Sequence, residues 1–118
     1  MPKIQFNYRY RCSGNYKKFI SVVFANPDGV ELAEVEGLIR SKLIYGEYFY
    51  AAQWQLPEVF TDIVDFRVDP TWHEFESVAY TDGAEDAGIS VAGFMGIIRN
   101  AWFNFIRHLG TCIAYWED

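Results

Sequence analysis

Few residues in this chain have the type and spacing for bond-making chemistry. The two histidines, His73 and His108, lie 35 positions apart, and the two cysteines, Cys12 and Cys112, lie 100 apart. A structural or catalytic metal needs ligands clustered at short, defined spacings. The nearest approach is His73, Glu74 and Glu76, which a solvated strand edge explains more simply, so no metal and no cofactor are expected. Nucleophilic catalysis needs a serine or cysteine activated by a nearby base. Cys12 or Cys112 would meet His108 only if the fold joined them, and no Gly-x-Ser-x-Gly turn is present. Glu74 and Glu76 could act as an acid–base pair from one strand face, although such pairs are common on surfaces. Gly88, Gly93 and Gly96 do not follow a strand in the pattern of a phosphate-cradling loop. The expectation is a protein that is not an enzyme.

The chemistry that stands out is charge. Between Glu58 and Asp86 lie nine carboxylates: Glu58, Asp62, Asp65, Asp69, Glu74, Glu76, Asp82, Glu85 and Asp86. Arg67 is the single arginine or lysine among them, so the stretch carries −8 while the whole chain carries −6. Residues 1–18 contain Lys3, Arg9, Arg11, Lys17 and Lys18 and no acid. The net charge argues against general nucleic-acid binding, which depends on neutralising phosphates. An acidic surface favours a basic protein partner. The expected partner-binding residues are Asp62, Asp65, Asp69, Trp72, Glu74, Glu76, Tyr80, Asp82, Glu85 and Asp86, with Trp72 and Tyr80 supplying contact area beside the charge. The basic hairpin, with Tyr16 nearby, is the alternative: its polar face could follow a single-stranded nucleic-acid backbone.

The elements that must position these residues follow from periodicity. Residues 3–11 alternate, with Ile4, Phe6, Tyr8 and Tyr10 on one face and Lys3, Gln5, Asn7, Arg9 and Arg11 on the other, which predicts a half-buried strand. Ser13-Gly14-Asn15 is turn chemistry, and residues 17–25 return as a second strand with Ile20, Val22 and Phe24 inward. Asp28 and Glu31 have capping-box spacing ahead of a helix carrying Leu32, Val35, Leu38, Ile39 and Leu43, with Gly46 as its stop. Acids early and Arg40 and Lys42 late suit the helix dipole.

The rings from Tyr48 to Trp54 predict a packed loop or a short helical turn. They either close the core or form a binding patch. Glu58, Asp62, Asp65 and Asp69 are spaced for one helical stripe. The β-branched residues among them favour a strand instead. A strand over 58–68, turning at Asp69-Pro70 into a returning strand over 72–80, is therefore expected. Thr81 to Gly88 reads as an acidic loop. Residues 89–109 predict a long helix, apolar around much of its girth, and so either central or a dimer contact through Ala92 and Gly96. Thr111–Trp116 could add a last strand.

Together these elements predict one α+β domain over 1–118, with an antiparallel sheet of four or five strands packed on two helices. At 118 residues and 51% hydrophobic composition, such a domain can bury a core of its own. Met1-Pro2-Lys3 leads straight into a strand, and no uncharged apolar run is long enough to span a bilayer, so a cytoplasmic location with no membrane partner and reduced cysteines is expected.

Two segments, Gly46-Glu47-Tyr48-Phe49-Tyr50 with Leu56-Pro57 and Trp72-His73-Glu74-Phe75-Glu76-Ser77, resemble small uncharacterised proteins carried by bacterial phages and plasmids. In size and acidity the chain is similar to phage-encoded anti-CRISPR proteins. That resemblance implies a stoichiometric inhibitor in the host cytoplasm. Its carboxylates would stand in for nucleic-acid phosphates on a partner's basic surface. No functional residue is carried over from the resemblance.

Overall fold

The computed structural model describes residues 2–61 and 64–101 of the chain. Asp62, His108, Cys112, the C-terminal part of the expected helix and the expected strand over 111–116 lie outside the described residues.

Strand β1 (Lys3–Arg11) alternates half-buried and buried residues along its whole length, as its period-two sequence requires. It pairs antiparallel with β2 (Lys17–Phe24), Ile4 opposite Phe24 and Arg11 opposite Lys17. Asn15 closes the turn in the left-handed region, at φ 69°, a conformation that asparagine tolerates. Helix α1 (Leu32–Lys42) follows, then the two-residue strand β3 (Tyr48–Phe49), a short 3-10 turn (Ala51–Trp54) and strand β4 (His73–Thr81). Residues 91–101 form helix α2. The sheet is antiparallel, in the order β2-β1-β4-β3. The protein is thus an α+β fold with a four-stranded sheet and two helices.

Three expectations change at the level of elements. Among the described residues, 58–61 and 64–68 form neither a strand nor a helix, and β4 pairs with none of them. Its long partner is β1, sixty residues and more earlier in the chain. The reason is local. Asp69 Oδ2 accepts from Asp65 N at 2.8 Å, and Asp65 Oδ1 accepts from Arg67 N at 3.0 Å. These side-chain bonds fold 65–69 into a turn, and they compete with the ladder that the β-branched residues favour.

The capping box is also absent. Asn26 organises the turn instead, with Val30 N donating to its Oδ1 at 2.8 Å and its Nδ2 donating to Val30 O at 3.0 Å. The helix begins too late for Asp28 to cap it. Its N-cap residue is Glu31, which makes no side-chain capping bond. Nor does Gly46 stop that helix, which ends at Lys42. Gly46, at φ 73°, instead joins Tyr45, at φ 53°, in a tight turn that brings Tyr48 back to pair with Ile44.

Phe6 is the hub of the core. The rings of Tyr8, Phe49, Trp54, Phe75 and Phe94 all have centroids within 6.2 Å of its own. The run from Tyr48 to Trp54 therefore closes the core: Phe49 and Trp54 are buried and stacked at 4.5 Å. Helix α1 inserts Val35 and Ile39, and α2 inserts Val91, Phe94, Met95 and Ile98, into the same cluster as the inward residues of β1, β2 and β4. Ser90 caps α2 by accepting from Gly93 N at 3.2 Å. Ala92 and Gly96, the residues that would permit close approach of a second copy, are half-buried.

Candidate functional site

The acidic stretch splits into two groups according to what each carboxylate touches. Glu74 lies opposite Arg9 on the outward face of the sheet. Its Oε1 accepts from Arg9 Nε at 2.7 Å and from Arg11 Nε and Nη2 at 3.2 and 3.1 Å. Burial alone would raise the carboxyl's pKa. The hydrogen bonds and charges of the two guanidiniums outweigh it and hold the group below the usual carboxylate range.

Asp69 is a latch. Its Oδ1 accepts from Ser13 N and Ser13 Oγ at 2.8 and 2.6 Å, which ties the β1–β2 turn to the loop before β4. Those donors, with Asp65 N, lower its pKa. Asp65 forms an ion pair with Arg67 at 2.8 Å, which lowers the pKa of Asp65 as well. Asp86 accepts from Val23 N at 2.8 Å, while the backbone N–H groups of Asp86 and Ala87 both bond to Val23 O. That segment covers the outer edge of β2 where its carbonyl and amide would otherwise be bare. Glu74, Asp69 and Asp86 thus tie separate parts of the chain together, while Asp65 shapes its own turn through Arg67.

Glu76, Asp82 and Glu85 are exposed. Glu76 is the extra residue of a bulge: Asn7 pairs with Ser77 while Tyr8 pairs with Phe75, so Glu76 is skipped. The alternation holds as far as Glu76 and breaks there, so Glu74, Glu76 and Ser77 all lie away from the core. Asp82 and Glu85 follow the end of β4. There Tyr80, 44% exposed, accepts from Leu32 N at 2.9 Å and reaches Glu31 Oε2 at 3.5 Å. The phenol therefore brings the start of α1 to the end of β4, and with it Glu31 and Glu34. Asp28, in the turn before α1, lies at the same end of the sheet. Lys3, opposite Thr81, adds one positive charge there. Trp72 is 38% exposed and leans on Tyr48, with ring centroids 5.6 Å apart.

The opposite end of the sheet is basic. Arg9, Arg11, Lys17 and Lys18 gather at the β1–β2 turn with Glu74 and Asp69 among them. β1 is nine residues long, so at about 3.3 Å per residue the two ends lie roughly 26 Å apart. That is about three Debye lengths at physiological ionic strength. The two poles share one sheet without neutralising each other. A cleft of about 630 Å³ opens at the basic end, lined by Cys12, Tyr16, Lys17, Lys18, Thr61 and Asp69 among others.

Beneath the loop between Pro57 and Pro70 sits a buried polar group that the sequence does not announce. Tyr8 donates to Pro57 O and Tyr10 to Pro70 O, each at 2.7 Å, so two buried phenols pin the two ends of the loop. Burial pushes the Tyr8 phenol up to about 12 and also raises Tyr10. His73, fully buried, packs among the rings of Tyr8, Tyr10, Phe49 and Phe60. Its Nε2 meets both Val59 N, at 3.1 Å, and Val59 O, at 3.0 Å, and a neutral ring can serve only one of them. Nδ1 has no hydrogen-bond partner among the described residues. A proton on Nε2 would be donated to Val59 O, and a bare Nε2 would accept from Val59 N, so either neutral tautomer ties the ring to Val59. Burial lowers the His73 pKa, against smaller opposing effects from the Val59 bond and Glu58.

Among the described residues no group of three or more His, Cys, Asp or Glu is placed to hold a metal ion, and no helix is long and apolar enough to cross a membrane. Cys12 is buried and free. Comparison of the chain with protein-family models, with curated proteins and with solved structures finds no match.

Proposed function

We propose that this protein is a non-enzymatic binding module whose acidic end docks on a basic, nucleic-acid-binding surface of a protein partner, as a stoichiometric inhibitor would. One observation carries it. Asp82 and Glu85 from the end of β4 share one end of the sheet with Asp28, Glu31 and Glu34, and Tyr80 offers exposed ring area beside them. Relative to the expected site, Asp65, Asp69, Glu74 and Asp86 are withdrawn because each is committed to an internal bond. Charge at this end would speed encounter and fix orientation, while Tyr80 would supply buried contact.

The test is a titration with a labelled oligo-arginine peptide, with duplex DNA as a competitor for the peptide. The wild type should bind more weakly as salt rises. Four exposed pairs at about 0.3–0.5 kcal/mol each amount to roughly tenfold in affinity. The combined substitution Glu31→Gln, Glu34→Gln, Asp82→Asn and Glu85→Gln should lose about that much, whereas Glu74→Gln should lose little. Equal losses from both variants, or from neither, would remove the acidic end from the proposal.

A further inference from the structure

The outward face of the sheet at the basic end presents a different surface. Phe19 stands there opposite Arg9 and is 60% exposed. Lys17, two residues earlier on the same face, stands opposite Arg11. Tyr16, 75% exposed, lies beyond them in the turn, where it lines the cleft with Cys12 and Asp69. A phenylalanine on the outward side of β2, between Lys17 and Ser21 and opposite Arg9, leaves most of its surface in water. It offers a flat ring to something else.

The arginines beside it are already oriented. Glu74 binds Arg9 through Nε and Arg11 through Nε and Nη2, while Arg11 Nη1 donates to Asn15 Oδ1 at 2.8 Å. Arg9 Nη1 and Nη2 carry no hydrogen bond to a described residue. One carboxylate shared by two guanidiniums leaves a net positive charge, and it spares a ligand the cost of ordering two long side chains. Further along the same face, Gln5, Asn7, Ser21 and Ser77 form a hydrogen-bonded polar strip, with Ser21 Oγ donating to Asn7 Oδ1 at 2.6 Å and Asn7 Nδ2 to Ser77 Oγ at 3.1 Å.

We infer that this face binds single-stranded nucleic acid, with a base stacked on Phe19 and the backbone phosphates running past Arg9, Arg11 and Lys17. Charge complementarity and an exposed ring together select this occupant. An acidic peptide would use the cations and leave the aromatic face idle. A duplex, its bases already stacked, would have no free face for Phe19. The overall charge of −6 opposes it little, because Asp82 and Glu85 lie six residues along β1 from Phe19, roughly 20 Å or more than two screening lengths, and Glu76 is the single exposed acid of β4 beside the polar strip. This inference is independent of the acidic-end proposal, since the oligo-arginine titration uses the opposite pole and either can fail alone.

Fluorescence anisotropy with labelled oligothymidylate, oligouridylate and a duplex of equal length tests it at about 50 mM salt, where phosphate contacts are well expressed. Both single strands should bind more tightly than the duplex. With three to four phosphate contacts, the logarithm of the affinity should fall with the logarithm of salt at a slope of about −2 to −3. Phe19→Ala should weaken binding by about tenfold or more, the usual effect of losing a stacking ring. Because Phe19 is exposed, circular dichroism and thermal unfolding should stay as in the wild type. Phe19→Trp should retain affinity and add fluorescence quenching on strand binding beyond that of the wild type. Absence of binding, equal affinity for duplex, or an unchanged affinity in Phe19→Ala would each overturn the inference.

Discussion

At the scale of the residue, the chain places its titratable groups so that acid works against the fold in two stages. His73 is neutral in the folded state and its pKa is lowered by burial. In the unfolded chain a histidine titrates near 6.5. Above that pH the two states bind equal numbers of protons there and stability is flat. As pH falls from about 6.5 toward the folded value, the unfolded chain takes up a proton that the buried ring refuses, and stability declines. Glu74 and Asp69, with folded pKa values below their usual range, contribute stability that is present above the unfolded carboxylate values and is lost as pH falls through the folded ones. Urea unfolding followed from pH 8 to pH 3 should therefore show a shallow fall beginning near 6.5 and a steeper one below about 4. In His73→Phe the first fall should vanish and the second remain. A wild-type profile flat down to pH 4 would contradict the assignment of a buried neutral imidazole. None of this is legible in the sequence, where His73 reads as part of a polar strand edge. Its burial depends on Phe60 and Val59 folding over it from a segment that looks like a strand.

At the scale of the element, two short contacts determine where the helices begin. Tyr80 Oη receives Leu32 N in place of a capping side chain at α1, while Ser90 caps α2 in the ordinary way. Tyr80→Phe keeps the ring and deletes the acceptor, so it should destabilise the domain by about 1 kcal/mol, as for loss of a helix cap. Amide exchange should rise at the first turn of α1 and stay unchanged in α2. Uniform exchange changes would show that the phenol does not act as a cap. The strands β1 and β2 and both helices are plain in the sequence because each has a clean period, two or 3.6, over nine or more positions or close to it. The pairing of β4 is not. Asp69-Pro70 resembles a hairpin turn, and what overrides it is the side-chain bonding of Asp65 and Asp69, which no periodicity reports. Phe19 was accessible to the same alternation that placed Ile20, Val22 and Phe24 inward: an outward phenylalanine follows from the period of two.

At the scale of the whole molecule, the sequence contrast between an acid-free start and an acidic middle becomes a contrast between the ends of one sheet, although not residue for residue. Glu74 and Asp69 belong to the acidic stretch yet sit within the basic pole, and Glu31 and Glu34 lie outside the stretch yet join the acidic pole. At physiological salt the poles should act separately. At about 10 mM salt the Debye length grows to roughly 30 Å and spans the sheet. Neutralising Asp82 and Glu85 should then strengthen oligothymidylate binding severalfold, while at about 150 mM it should change affinity by less than twofold. An equal effect at both salts would mean that the acids touch the strand directly. The pairing of β1 with β4 has a further consequence, for the order in which the molecule assembles. Lys3 pairs with Thr81, and Ile4 with Tyr80. On the ribosome the β1–β2 hairpin therefore emerges long before its second partner, with Ile4, Phe6, Tyr8 and one whole edge of β1 uncovered. Closing so long a loop is slow compared with forming the hairpin. During that interval the face destined to become the hub of the core is the molecule's most aggregation-prone surface.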